Sequence, residues 1–140
     1  MTKRAKFAVD TKVPVAQTRT EIETTLTRFG ATSFAFAVQE KGATIMFECQ
    51  GRRIRFDLPL SKEQTEARTA KVHREKWRAL FLSIKAKLVS VDTGIETFEE
   101  AFLAHVVLAD GSTVGQMTRP AIESQYKTGK MTPLLAAPGK

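Results

Sequence analysis

The sequence predicts an α+β fold in which a short helix, a three-stranded antiparallel sheet and a long helix follow one another. Apolar residues alternate with polar or small ones through three consecutive runs, the period of strands with one buried face. Lys41-Gly42 and Gln50-Gly51 separate these runs as two-residue turns that contain glycine. Helical apolar spacing precedes and follows the runs. The complete prediction is an N-terminal helix, an antiparallel meander, a long covering helix, then short C-terminal helices and a tail.

The composition is that of one soluble domain. The chain has 140 residues, of which 42% are hydrophobic and 26% charged, and domains most often contain about 100–150 residues. The single cysteine, Cys49, has no partner for an internal disulfide, which suits a reducing compartment. No apolar run reaches the roughly 18 residues of a membrane helix, and the basic start lacks the apolar core of a signal peptide. We expect a cytoplasmic protein with no membrane partner.

The N-terminal segment is predicted to be a flexible basic arm over residues 1–16, followed by a helix. Pro14 favours an extended backbone in the residue before it. Thr18 and Glu21 have the spacing of a capping box, so the helix is expected to begin there, and Gly30 is a typical stop. The apolar face of this helix would consist of Ile22, Leu26 and Phe29.

The predicted strand register of the meander can be checked against the positions of the apolar residues. Two-residue turns would place Phe36 opposite Phe47, and Phe47 opposite Ile54, so that one apolar face continues across all three strands. The other face would carry a cross-strand pair of Glu48 and Arg53. The complete outer face is expected to include Ala35, Ala37, Met46, Glu48, Arg53 and Arg55.

A long helix is predicted from a cap at Ser61 to about Val91. Its apolar stripe should cover the apolar face of the sheet. That stripe consists of Trp77, Leu80, Phe81, Ile84, Leu88 and Val91. One flank of the helix is basic and consists of Lys71, Arg74, Arg78 and Lys85.

The C-terminal third contains weaker signals. Thr97 and Glu100 have capping-box spacing and indicate a short helix. Residues 106–108 are expected to form a short strand, and the alternative is a continuation of that helix. A last helix is predicted over residues 120–127, with a stop at Gly129. The single α+β domain would thus span 17–130. It would be followed by an extended tail, residues 131–140, in which Leu134 and Leu135 could dock on the body or on a partner.

The basic charge is uneven along the chain. The total is +7, from 22 Lys and Arg against 15 Asp and Glu, which excludes an acidic DNA mimic and favours a polyanionic partner. Residues 1–90 hold 18 basic and 9 acidic residues, a net of +9, and residues 91–140 hold 4 and 6, a net of −2. Such a surface could neutralise phosphates and release counterions. The predicted nucleic-acid-binding residues are Arg52, Arg53, Arg55, Lys71, Arg74, Arg78 and Lys85.

Catalysis has little support in the sequence. Neither His73 nor His105 has a nucleophile or metal ligand at a recognisable spacing, and Cys49 points into the predicted core. The run Glu48-Cys49-Gln50 resembles one step of metal-dependent nucleases, but the preceding strand has no aspartate to complete the site, and Asp57 is on the wrong strand. We therefore expect a protein that is not an enzyme and that has no metal and no cofactor.

Several runs of the sequence carry a family resemblance. They are Gly51–Phe56, Lys76–Leu80, Ile84–Leu88, Gly94-Ile95, Phe98–Glu100, Phe102–His105, Asp110-Gly111, Thr113–Gly115 and Tyr126–Met131. Together they resemble small uncharacterised proteins encoded in phage and prophage genomes, over most of the chain from about residue 18. The resemblance implies a phage setting, and hence the cytoplasm of a host cell. The family has no established activity, so no catalytic residues are transferred.

Two classes of function remain open at this point. The first is a small non-catalytic phage-type accessory protein that binds DNA or RNA through the phosphate backbone, for replication, recombination or takeover of the host. Its outer sheet face has no aromatic residue for base stacking, so backbone contact is the expected mode. The alternative is an interaction module that inhibits a host enzyme or defence complex, or a minor structural protein of the virion. Its partners would be a host or phage protein. A homo-oligomer is conceivable in either class.

Overall fold

The computed structural model describes residues 8–135 and confirms the predicted α+β architecture. The three strands form one antiparallel sheet in the order β1-β2-β3. The elements are α1 (Val15–Phe29), β1 (Thr32–Gln39), β2 (Gly42–Cys49), β3 (Arg52–Pro59), α2 (Glu66–Asp92), α3 (Phe98–Phe102), a short 3-10 helix (Leu103–His105) and α4 (Val114–Thr128).

The second hairpin has the predicted register. Phe47 lies opposite Ile54, and Glu48 lies opposite Arg53. The turn residues Gln50 and Gly51 have φ angles of 50° and 74°. Two consecutive left-handed residues match the right-handed twist of the flanking strands, which is why this turn could be recognised in the sequence.

The first hairpin differs from the prediction by two residues. Phe36 lies opposite Ile45 rather than Phe47, and the chain turns at residues 40–41 instead of 41–42. Gly42 is the first residue of β2 and has no left-handed φ. It is needed there for close packing, because a Cβ at this position would lie 2.6 Å from the carbonyl oxygen of Leu58.

Two helix starts predicted from capping patterns are wrong. Helix α1 begins at Val15, and Thr18 lies inside it, fully buried, so it does not cap the helix. Helix α2 begins at Glu66 with Thr65 as its cap, four residues after the predicted Ser61. A capping side chain accepts a hydrogen bond from an amide of the first turn, and Thr65 does so.

The C-terminal elements follow the sequence more closely, with one difference of length. The predicted capping box at Thr97 is present, and residues 106–107 form single bridges with Ile54 and Thr113. Helix α4 starts at Val114, well before the predicted residue 120, and contains Pro120 in its interior. Gly129 ends it in the left-handed conformation.

The hydrophobic core lies on one side of the sheet. The α2 stripe from Trp77 to Leu88 is buried as predicted, and α1 contributes Ile22 and Leu26. The ring of Phe102 meets the rings of strands β2 and β3 edge to face, with centroids 6.1 and 6.2 Å away. Because the helices pack on this side, the opposite face of the sheet remains largely exposed.

Candidate nucleic-acid interface

The arginines of the outer sheet face have different surroundings. Arg53 is exposed opposite Glu48 and forms no ion pair with the residues that the structure describes. Arg55 is held by the C-terminal region, since its guanidinium donates to the Gly111 carbonyl at 2.7 Å and to the Gln116 side chain at 2.9 Å. Its Nε also lies 3.4 Å from a carboxylate oxygen of Asp57. Of these two arginines, only Arg53 presents an uncommitted charge to solvent.

Arg52 does not share this face. Adjacent residues of a strand point to opposite sides of the sheet, and Arg52 extends towards α3, where its guanidinium lies 3.5 Å from the Glu99 carboxylate. Both side chains are about half exposed, at 45% and 53%. An exposed pair of this kind contributes little to stability, so Arg52 can exchange Glu99 for another anion.

The basic flank of α2 faces α1 and the segment before it. The Lys71 ammonium lies 2.9 Å from the Asp10 carboxylate, and the Arg78 guanidinium donates to Glu21 of α1 at 2.8 Å. The hydrogen bond from Arg78 is the main reason that the pKa of Glu21 is lowered from its ordinary value. Arg78 also lies over the Phe81 ring, 4.6 Å from its centroid. Two of the four predicted flank residues are thus ion-paired within the molecule.

The other two flank residues are not held in direct ion pairs, although the Lys85 ammonium contributes to the lowered pKa of Glu21. Arg74 and Lys85 form no ion pair with any residue between 8 and 135. Lys85 lines a shallow groove of about 280 Å³ between α1 and α2, together with Arg28. Sequence reasoning missed Arg28, although it lies seven residues after Glu21 and therefore on the same face of α1. We call the set Arg28, Lys71, Arg74, Arg78 and Lys85 the helical basic face.

The seven predicted residues therefore do not form one patch. Arg53 and Arg55 point away from the core, whereas α2 packs on the core side of the sheet. The sheet separates them from Lys71, Arg74 and Lys85 of α2. This separation already follows from the sequence, because a helix that covers the apolar face cannot share a surface with the opposite face.

The charge of the described body is small. Residues 8–135 carry 18 Lys and Arg against 15 Asp and Glu, a net of +3, and the other +4 of the total is carried by Lys3, Arg4, Lys6 and Lys140. Three of these four belong to the predicted basic arm, whose residues 1–7 lie outside the described part of the chain. The end of that arm is described, and the amide of Asp10 donates to the Glu75 carboxylate at 2.8 Å. The arm therefore joins the body at the helical basic face.

His73, His105 and Cys49 lie on three different elements of the fold. The His105 ring stacks on Phe56 with centroids 4.0 Å apart, and burial lowers its pKa. Burial raises the pKa of the Cys49 thiol, which lies in the core as predicted. His73 lies 3.0 Å from the carbonyl oxygen of Ser61. Among residues 8–135, no three His, Cys, Asp or Glu side chains converge as a metal site would require.

The architecture defines a small α+β domain in which α1, α2 and α3 pack on one face of an antiparallel sheet. The start of α4 is hydrogen-bonded through Gln116 to Arg55 of the opposite face. Within the described residues, none of the helices combines the length and the apolar character needed to span a bilayer. Comparisons of the chain with protein families, with curated proteins and with solved structures gave no match.

Proposed function

We propose that this protein is a small, non-catalytic nucleic-acid-binding accessory protein that contacts the phosphate backbone through the helical basic face and the N-terminal arm. The observation that carries the proposal is the contact of Asp10 with Glu75 and Lys71 on α2. It attaches an arm that contains Lys3, Arg4 and Lys6 to the helix flank that contains Arg74 and Lys85. The three cations of the arm precede this attachment point by four to seven residues in the sequence.

The arrangement suits phosphates better than bases. Among the described residues, neither Arg74 nor Lys85 is held in a direct ion pair, so a phosphate could bind them without breaking one. Arg78 and Lys71 are paired, and their binding to phosphate would first release Glu21 and Asp10. Contacts to phosphate orient a protein on nucleic acid without reading its sequence. We therefore expect binding with little sequence preference and a strong dependence on salt.

Fluorescence anisotropy with single- and double-stranded DNA and RNA tests the proposal. The double variant Arg74→Ala/Lys85→Ala should weaken binding about tenfold or more at low salt, since each lost phosphate contact weakens binding and reduces the salt dependence. Arg53→Ala is the matched control, because it removes an exposed arginine from the opposite side of the sheet. Loss of binding in Arg53→Ala alone would assign the site to the sheet, as one part of the sequence-based prediction has it.

The arm is tested separately in the full-length chain. Replacement of Lys3, Arg4 and Lys6 by glutamine removes three charges and leaves the contact of Asp10 in place. We expect weaker binding to every nucleic acid that the parent protein binds. Unchanged affinity in this variant would exclude the arm from the interface.

The proposal includes the biological setting of the protein, which is a phage or prophage. The resemblance to phage and prophage proteins suggests a role in replication, recombination or takeover of the host, in the host cytoplasm. That setting does not depend on which nucleic acid is bound, and the four substrates of the titration distinguish DNA from RNA and single from double strands.

A second function is favoured by the surface of α4. This helix has no buried residue, and it exposes Ile122 and Tyr126, the latter at 89%. Leu134 and Leu135 beyond it are both 48% exposed. Exposed apolar residues grouped in this way are typical of protein contacts. An interaction module that inhibits a host enzyme or defence complex, or a minor virion protein, is the function we propose if none of the four nucleic acids binds at low salt.

A further inference from the structure

The two edges of the sheet differ in whether another part of the chain bonds to them. Beside β3, Val106 forms a bridge with Ile54, and the amide of Val107 donates to the Arg53 carbonyl at 2.8 Å. The chain after α3 thus covers that edge. Strand β1 at the other edge pairs only with β2, and along its outer side no described residue makes a backbone hydrogen bond with it.

The open edge lacks the features that usually prevent strands from associating. From Phe34 to Gln39 the strand contains no charged residue and no proline, the two commonest protections of an edge. Ala35, Ala37 and Val38 are exposed, and Val38 is 67% exposed. The pairing with β2 is irregular only near Ser33, whose φ is 58°. Along the six residues that follow, the outward amides and carbonyls have no backbone partner within residues 8–135.

We propose that β1 pairs antiparallel with β1 of a second copy of this chain, about a two-fold axis at Phe36. In that register Phe34 lies opposite Val38 of the second copy, and Ala35 lies opposite Ala37 of the second copy. Large side chains meet on the core side of the sheet, and small ones meet on the outer side. The strand is therefore complementary to itself, which is what a two-fold interface requires.

Helix α1 provides complementary charges beside this strand. The Arg19 guanidinium lies over the Phe36 ring, 4.7 Å from its centroid, and Glu23 lines the same depression of about 220 Å³. Neither Arg19 nor Glu23 forms an ion pair within residues 8–135. The open edge is therefore flanked on α1 by one cation and one anion, rather than by a cluster of like charges that would repel a second copy.

We expect the pairing to end at a dimer, because the β1–β1 contact uses the β1 edge of both copies. At the other edge, residues 106–107 bond to β3 at Arg53 and Ile54 and obstruct the addition of a strand there. The product is one continuous six-stranded sheet, twice the three strands of the single chain, with α1 and α2 of both copies on one side.

The mass of the full-length protein in solution tests the dimer. Light scattering after size exclusion should give twice the 15.5 kDa of the single chain, and Ala35→Lys/Ala37→Lys should reduce it to 15.5 kDa at the same concentration. These lysines would face one another across the axis, and like charges on opposed strand positions repel. Both side chains are exposed in the single chain, so circular dichroism should show an intact fold. Val38→Lys is a second disrupting variant, for use if the double variant does not fold.

Ile122→Lys/Tyr126→Lys is the matched control, with two lysines on exposed apolar positions of α4. It should remain dimeric. A parent protein that is monomeric at all concentrations tested would overturn the proposal. So would a dimer that the α4 variant dissociates and the β1 variants leave intact.

Discussion

The Arg78 guanidinium of α2 donates a hydrogen bond to the Glu21 carboxylate of α1 at 2.8 Å. Both side chains are partly shielded, with 22% and 31% of their surfaces exposed. The contact joins the two helices beside the groove that contains Lys85 and Arg28. Stability and charge are therefore linked at this surface, because the same guanidinium that binds α1 is also a candidate phosphate ligand.

The Glu21–Arg78 contact should make stability depend on pH. The pKa of Glu21 is lowered in the folded chain, chiefly by the hydrogen bond from Arg78, so its contribution is complete above the ordinary carboxyl pKa of about 4.3. It is lost as the pH falls through the lowered value. At pH 7, Glu21→Gln should lower the free energy of unfolding by about 1 kcal/mol.

Urea denaturation at pH 7 and at pH 3 measures this effect. The difference between parent and variant should shrink at pH 3, because that pH lies below the ordinary carboxyl pKa of the unfolded chain and part of the contribution is then lost. Glu23→Gln on the same helix is the control and should change stability by less than about 0.5 kcal/mol. An equal difference at both pH values would contradict the ion pair.

His105 should titrate at a lower pH than an ordinary histidine. Burial against Phe56 disfavours the imidazolium and lowers the pKa of His105. The unfolded chain then binds a proton more readily than the folded one. The free energy of unfolding should therefore fall as the pH decreases through the ordinary value of about 6.5.

An NMR titration of the His105 ring gives the pKa directly, and His105→Phe should remove this part of the pH dependence of stability. Phenylalanine keeps an aromatic ring against Phe56 and carries no charge. A midpoint at or above about 6.5 would show that burial does not control this side chain.

Gly42 should not tolerate a side chain. Its would-be Cβ lies 2.6 Å from the Leu58 carbonyl oxygen, which belongs to the backbone of the paired strand and cannot move independently. Gly42→Ala should lower the free energy of unfolding by about 2 kcal/mol. Gly51→Asn is the comparison, because its surroundings are open and asparagine tolerates its positive φ. If the thermal melting curves of the two variants coincide, the close packing at Gly42 is contradicted.

Arg55 should contribute to the stability of the folded chain, and Arg53 should not. Arg55→Ala removes hydrogen bonds to Gly111 and Gln116 and should cost about 2 kcal/mol of stability. Arg53→Ala removes an exposed side chain and should change stability by less than about 0.5 kcal/mol. Urea denaturation of both variants tests the contrast. Equal, small effects would mean that the Arg55 contacts contribute nothing to folding.

The sequence could predict which residues face the core, but not every pairing between strands. Phe36 faces the core in either register, because a shift of two residues leaves the alternation of core-facing and outward side chains unchanged. What separates the two registers is the pairing of Gly42 with Pro59 of β3, which makes Gly42 a strand residue and moves the first turn to residues 40–41. That pairing belongs to the second hairpin, so the residues of the first turn carry no local signal for it. The turn at Gln50-Gly51 does have such a signal and was predicted correctly.

The candidate interface was predictable only in part. Helical spacing places Lys71, Arg74, Arg78 and Lys85 on one flank of α2. Which of them are paired depends on the position of α1, and no pattern in α2 specifies that position. The capping-box spacing of Thr18 and Glu21 was misleading for the same reason: Glu21 bonds to Arg78, and Thr18 is buried.

The salt dependence of nucleic-acid binding tests the central proposal most directly. The logarithm of the binding constant should fall linearly with the logarithm of the salt concentration, and the slope is set by the number of phosphates that the protein neutralises. Arg74→Ala/Lys85→Ala should reduce the magnitude of that slope by about 2 relative to the parent protein, and Arg53→Ala should leave it unchanged. An unchanged slope in the Arg74/Lys85 variant, or the absence of binding to any nucleic acid at low salt, would contradict an interface on the helical basic face.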